Sequence, residues 1–145
     1  MARIKIDLPG KFSFSTNIPI RITDINFGGH VGNDTILSII HEARAKFFTN
    51  CGYTELNFSG VGTIMSDVAI EYKDQIYYGD EVFASIAIGE ITKVAFDLFY
   101  KLEKRSANGK QSTVALAKTW MACYNYEKKK LTAIPEVAIK KITNQ

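Results

Sequence analysis

Pro19-Ile-Arg-Ile-Thr-Asp-Ile-Asn-Phe-Gly-Gly-His-Val-Gly-Asn-Asp34 runs into an amphipathic segment that closes on Glu42-Ala-Arg-Ala-Lys-Phe-Phe48, and this stretch decides the fold. Ile20 and Ile22 alternate with Arg21 and Thr23, which is strand patterning. Asp24 and Asn26 stand two apart, so an extended backbone would turn both side chains to one face. Gly28-Gly29 then breaks the strand, because glycine reaches backbone angles that other residues avoid. His30 to Asn33 form a loop into a helix, with Asn33 or Asp34 as its N-cap. Apolar residues at Ile36, Ile39, Ile40, Ala43 and Phe47, widened by Leu37 and Phe48, keep helical spacing with one broad buried face. The helix ends near Asn50-Cys51-Gly52, where Gly52 suits a left-handed cap. A helix whose free amides point back at a polar glycine loop can stabilise negative charge developing on an oxygen.

Outward from this stretch, the chain of 145 residues is expected to be one domain spanning 1–145 with a sizeable core. Apolar content of 46% and charged content of 23% match an ordinary globular chain, and a net charge of +3 is too small to argue for nucleic acid. Lys101, Lys104 and Arg105, and Lys128 to Lys130, read as hairpin ends and a solvated turn; a grip on an anionic cofactor phosphate is the minority alternative. Cys51 and Cys123 form neither a ligand spacing nor a disulfide framework, which fits a reducing cytoplasmic compartment better than a single pair. No stretch approaches the roughly 20 apolar residues of a membrane span. The first residues lack the apolar core of a signal peptide, so the expectation is a soluble intracellular protein.

Residues 1–10 read as a short arm or weak strand, and Lys11 to Ile25 as strand with an interruption at Asn17 to Pro19. Thr54 to Gly62 reads as a turn or helical loop. Four strands follow: Thr63 to Lys73, Glu81 to Thr92, Lys93 to Arg105 and Ser112 to Tyr126. Tyr78-Gly79-Asp80 and Ser106-Ala107-Asn108-Gly109 supply turns, and Pro135 opens a short helix through Ile142. One strand, one long helix and about four antiparallel strands make an α+β domain whose sheet must cover the helix. The other sheet face also carries apolar residues, Phe99 and Met121 among them, which points to a partner subunit.

The order and spacing of these pieces resemble the hotdog fold, and in particular the 4-hydroxybenzoyl-CoA thioesterase family. The resemblance is carried by Arg21-Ile-Thr-Asp24-Ile-Asn26-Phe-Gly-Gly29-His30-Val31-Gly-Asn33, by Leu37 and Glu42-Ala-Arg44, by Ile70-Glu-Tyr72, by Tyr78-Gly-Asp-Glu-Val82 and by Ile134-Pro135. It covers the chain from about Phe12 to Ile142. It implies one long helix wrapped by an antiparallel sheet of about five strands, hydrolysis of acyl-CoA or acyl-carrier-protein thioesters without a metal or other cofactor, and sites between subunits of a dimer or tetramer. One position departs: the family's reactive aspartate falls on Asn26, a neutral amide that neither accepts a proton usefully nor attacks as a nucleophile. Enediyne-polyketide thioesterases resemble this chain in having asparagine there and an arginine at the spacing of Arg44.

Each candidate has two readings. Asp24 is a general base or a strand-end carboxylate that fixes the loop. Asn26 orients substrate and water or fixes the loop, and the resemblance favours the first. His30 is an acid or base, or a packed side chain; the amides of Gly29, His30 and Val31 are the better candidates for holding a thioester oxygen. Asn33 closes the same loop as a substrate contact. Arg44 borders the apolar face and needs a partner, either a structural ion pair or a substrate. Glu42 with Lys46 reads as an exposed i, i+4 pair. Ser66 and Asp67 begin a long strand and reach the site across a dimer interface, or are plain strand-edge polarity. Phe47, Phe48, Phe96, Phe99 and Trp120 are core residues or the lining of an acyl tunnel. The sequence therefore favours a thioester hydrolase, with a non-catalytic acyl-binding module as rival. A dehydratase ranks low, since the loop offers a histidine without its acidic partner, and nucleic-acid binding ranks lower.

Overall fold

In the computed structural model, which describes residues 3–144, strands and helices follow one another as β1 (Phe14–Ile18), a 3-10 turn (Ile22–Asp24), α1 (Asn33–Asn50), β2 (Gly62–Tyr72), β3 (Glu81–Ile91), β4 (Ala95–Arg105), β5 (Gln111–Asn125), the two-residue β6 (Lys130–Leu131) and α2 (Glu136–Thr143). The strands form one antiparallel sheet in the order β1-β3-β4-β5-β2, with β6 added to β5. One face of this sheet wraps α1. Ile36, Ile39, Ile40, Ala43, Phe47 and Phe48 of the helix share a buried cluster with Val82, Ala84 and Ile86 of β3, Phe96 to Leu102 at alternate positions of β4, and Ala115, Ala117, Met121 and Cys123 of β5. Full burial of each large apolar side chain contributes roughly 2 kcal/mol, so this face dominates stability. Ala138 and Ile142 of α2 close one end of the cluster.

The stripe on α1 is as its spacing predicts, except that Leu37 stays exposed and Arg44 is buried. The helix ends in a Schellman motif: the amide of Gly52, at φ +85°, donates to the Thr49 carbonyl and that of Tyr53 to Phe48. The N-cap is Gly32, not Asn33 or Asp34, and no side chain caps it. A Cβ at Gly32 would lie 2.6 Å from Asp34 Oδ1, so the exposed Asp34 side chain would have to swing aside for a larger residue, and 3.5 Å from Asn26 Nδ2.

Lys11 to Ile25 is strand only over Phe14–Ile18. The alternation of Ile20 and Ile22 belongs to a 3-10 turn instead, in which Asp24 Oδ2 accepts from the Arg21 amide at 2.8 Å. A short side chain that captures a nearby amide competes with strand pairing. Thr54 to Gly62 carries no helix; Phe58 and Val61 form a bridge, with Ser59 and Gly60 at positive φ between them.

The outward sheet face differs from expectation in two ways. Met121 points inward and is buried in the main cluster, so only Phe99 of the two belongs outside. The outward face is also partly closed by the chain itself. Ala87, Ala95 and Ala122 are buried there, outside the main cluster, and the N-terminal arm reaches it. Ile6 is buried, and its amide donates at 3.0 Å to Glu71 Oε1 on β2. Cys51 and Cys123 are buried free thiols, and burial pushes the Cys123 thiol up to about 11. No described helix is long and apolar enough to cross a membrane.

Candidate active site

The loop between the 3-10 turn and α1 is tied by its own amides. The Asn26 amide donates to the His30 carbonyl at 2.8 Å, Gly29 donates to the Asn26 carbonyl, and Gly28 donates to Asn26 Oδ1 at 2.9 Å. These bonds bring residues 26 and 30 together and leave Gly29 at φ +87°, a left-handed position suited to glycine. The His30 ring folds back beside Gly28, with Nδ1 3.0 Å from the Val31 carbonyl. An Nδ1 proton donated there leaves Nε2 of the neutral ring as an acceptor.

Opposite this loop stands the segment that leaves β2. The Val31 amide donates to the Ile76 carbonyl at 2.8 Å, and the Tyr72 hydroxyl donates to the Asn33 carbonyl at 3.0 Å. Between the two walls lies a cleft of about 220 Å³, lined by His30, Val31, Asn33 and Ile36 on one side and by Tyr72 to Ile76 on the other. The first turn of α1 opens beside it. Thr35 and Ile36 already donate to Gly32, whereas the amides of His30, Asn33 and Asp34 have no acceptor among the described residues. Uncapped amides at a helix start gather partial positive charge that favours a developing anion.

The outer wall is pinned from within the fold. Lys104 of β4 occupies the inward phase of its strand and is buried, so it is not part of a solvated hairpin end. Its Nζ donates to the Gln75 carbonyl and lies 3.5 Å from Asp80 Oδ2 and 3.7 Å from Asp74 Oδ2. Asp80 in turn accepts from the Tyr77 amide, and the Tyr77 ring packs edge-on to His30 at 6.4 Å. A hydrogen bond from Ser112, then one from the Gln75 amide, with Lys104 adding to both, holds the Asp74 carboxyl below its usual range. Lys128 and Lys129 sit in the exposed turn that the sequence implies.

The other candidates are distributed differently. Asp24 lines a second cleft of about 400 Å³ on another side of α1, with Arg21, Ser38, Glu42 and Lys46; Glu42 and Lys46 form no ion pair among the described residues. The 3-10 turn at Asp24 removes the extended backbone that would have put Asp24 and Asn26 on one face, and Asn26, in the loop behind His30, lines neither cleft. Arg44 is 4% exposed and lies in neither cleft: its Nε donates to Glu55 Oε1 at 2.6 Å and Nη1 lies 3.4 Å from the Tyr100 hydroxyl, which meets Thr119 at 2.7 Å. Burial works against the charge on Arg44, but Tyr100 and Glu55 outweigh it and raise the guanidinium pKa. Ser66 donates to the Trp120 carbonyl, and Asp67 follows a bulge and pairs with Trp120 on the outward face; within one chain neither reaches the smaller cleft. Asp74 and Gln75 line that cleft although the sequence pattern does not mark them, and so does Tyr72, which carries part of the resemblance but no expected site role. Phe47, Phe48 and Phe96 are core, while Phe99 and Trp120 are half-buried on the outward face.

Comparison with known proteins agrees with the fold. The chain resembles in fold the 4-hydroxybenzoyl-CoA thioesterase of Pseudomonas sp. strain CBS-3, with 17% identity over 90% of this chain and 99% of that one and a TM-score of 0.81. A 1,4-dihydroxy-2-naphthoyl-CoA thioesterase from Synechocystis is similar at 17% identity, 90% and 96% coverage and a TM-score of 0.78. A predicted thioesterase from Bacillus stearothermophilus is similar at 22% identity, 90% and 94% coverage and a TM-score of 0.75. No curated protein matches the chain. A family model, the thioesterase-like superfamily, matches residues 20–142, which takes in the loop, α1, all of the sheet after β1 and nearly all of α2. The chain belongs to the thioesterase-like superfamily and has its hotdog fold.

Proposed function

We propose that the protein hydrolyses the thioester of an acyl group carried on coenzyme A or on a carrier protein, without a metal ion, as a homodimer or homotetramer. The observation that carries this reading is the open start of α1 beside the cleft between His30 and Tyr72. The thioester oxygen is held by the His30 amide and the first-turn amides, since the Gly29 and Val31 amides already serve Asn26 and Ile76. Asn26 orients the reacting groups, Asn33 borders the acyl group, and His30 Nε2 takes the proton from the attacking water. Asp24 is the nearest carboxylate in sequence and the alternative base. Collapse of the tetrahedral intermediate breaks the C–S bond and releases a carboxylic acid and a thiol. One amide donor of this kind is worth roughly 3 kcal/mol of barrier.

The cleft is small beside the roughly 300–1,000 Å³ of ligand pockets. Strand β2, which ends at Tyr72 of the cleft, is a free sheet edge among the described residues, with Ile64, Val68 and Tyr72 exposed. A second copy pairing along β2 would extend the wall and bring its own Ser66 and Asp67 near the site. Family membership supports hydrolysis, and so does the likeness to enzymes described as thioesterases.

One observation favours a rival, an acyl-binding module: Asn26 Oδ1 is spent on Gly28 and Asp24 Oδ2 on Arg21. Incubation with short, medium and aromatic acyl-CoAs, with free thiol followed over time, separates the two. Steady turnover supports the hydrolase; saturable binding without thiol release overturns it in favour of the rival.

A further inference from the structure

We infer that Lys104 is a positioning residue for the cleft, an assignment that rests on the hydrolase reading for its chemistry and on the fold for its geometry. The residue stands on β4, away from the loop that carries the proposed reacting groups, and touches none of them. Lysine is seldom buried, yet this one is, and its ammonium donates one hydrogen bond and faces two carboxylates at ion-pair distance. Three partners belong to one short segment: the Gln75 carbonyl, Asp74 and Asp80. The same ammonium lies 5.2 Å from the centre of the Tyr77 ring.

That segment is the outer wall of the cleft, and it transmits position to the loop in two places. The Ile76 carbonyl receives the Val31 amide at 2.8 Å, and Tyr77 packs against the His30 ring. Moving residues 74–77 would therefore move the acceptor that aligns Val31 and the ring that seats His30, the residue whose amide and Nε2 the reaction uses. Asp80 is held inside as well, at 7% side-chain exposure, so the Lys104–Asp80 contact is the buried part of the staple, while Asp74 stands at its wet rim. A buried lysine beside one carboxylate would be a weak case for stability. One that grips a carbonyl, two carboxylates and a ring of the same short wall acts as a clamp on its position.

The test uses the full chain and three variants. Lys104→Met with Asp80→Asn removes both buried charges together, and the amide oxygen introduced by the second change keeps an acceptor for the Tyr77 amide. Lys104→Arg keeps the charge and its donors. Asp80→Asn alone carries the same comparison where the double variant does not fold. Three quantities are read: exchange of the Val31 amide with deuterium, the Kd of a non-hydrolysable thioether analogue of acyl-CoA, and kcat and KM on the best thioester. The double variant is expected to exchange Val31 faster, to bind the analogue about tenfold more weakly and to lose about tenfold or more in kcat/KM, chiefly through KM, with Lys104→Arg restoring most of each. Unchanged Val31 exchange and unchanged analogue binding overturn the inference, even where wild-type turnover upholds the hydrolase. The converse outcome, no wild-type turnover but weaker analogue binding and faster exchange in the variant, sinks the hydrolase reading and leaves the clamp standing.

Discussion

Replacing Arg44 by methionine tests whether this arginine holds the fold together or works on substrate. The guanidinium makes a 2.6 Å charge-assisted bond to Glu55, worth roughly 2 kcal/mol. Its 3.4 Å approach to Tyr100 adds less, because the Tyr100 hydroxyl keeps Thr119 at 2.7 Å when the arginine is gone. Glu55 is partly exposed and keeps His41 within 3.3 Å, so the loss stays below the roughly 3–5 kcal/mol of breaking a fully buried pair. Methionine refills most of the aliphatic stem's volume. The net cost is about 2–3 kcal/mol. With an unfolding entropy of roughly 0.3 kcal/mol/K for a domain of this length, Tm should fall by about 8 °C. Urea denaturation followed by the fluorescence of the sole tryptophan, Trp120, measures the first quantity, and a scan of Tm the second. Turnover per folded molecule should stay within about twofold of wild type, because Arg44 lines neither cleft. A variant that melts with wild type yet loses its turnover would refute the reasoning and put Arg44 on the substrate.

Asn26→Ala should lower kcat by about tenfold or more while Tm moves by no more than about 3 °C, since the bond it removes is exposed; steady-state kinetics beside a melting scan checks both. Asp97, on the outward face, is buried without a hydrogen bond or ion pair among the described residues, and burial raises its carboxyl pKa, Lys118 opposing while Glu90 and Asp67 add to the rise. A folded-state value above the unfolded one near 3.9 means stability is fully present below that pH and is lost as pH climbs through the folded value. Asp97→Asn should therefore stabilise at pH 7, by at most about 1 kcal/mol, and do nothing near pH 3, as urea titrations at the two pH values would reveal. Gly52→Ala places a Cβ on a residue at φ +85° and should cost about 1 kcal/mol, or about 3 °C in Tm, without altering turnover.

The fold was legible because its signals are periodic. The stripe from Ile36 to Phe48, the alternation of β4 and the Asn108-Gly109 turn each fix an element from neighbouring residues alone. Asp24 misled because the same spacing serves a strand or a turn, and the winner was a single side-chain bond to the Arg21 amide. Lys104 was readable in principle: it keeps phase with Phe96, Leu98, Tyr100 and Leu102, so its burial follows from strand parity. Its charge argued for solvent, and only the partners at Asp74, Gln75 and Asp80 resolve the conflict. Tyr72, Asp74 and Gln75 could not be found this way. They meet His30 and Asn33 across a long stretch of chain, and that meeting depends on β2 taking the edge of the sheet.

The place of β2 also changes where association belongs. Two apolar sheet faces argue for a partner laid against the second face. Here that face buries its own Ala87, Ala95 and Ala122, a Cβ at Gly89 would stand 2.4 Å from the Phe99 ring, and Ile6 of the arm is bonded to Glu71. The unmet demand lies instead along β2, whose outer edge has no strand beside it among the described residues and whose Ile64, Val68 and Tyr72 remain exposed. An unpaired edge of 11 residues is what a chain must cover or charge to stay apart from others. Tyr72 belongs to that edge and to the cleft at once, through its bond to the Asn33 carbonyl. Pairing along β2 would therefore satisfy the strand's free groups and enclose the open start of α1 in one event, which ties the proposed catalysis to the proposed dimer.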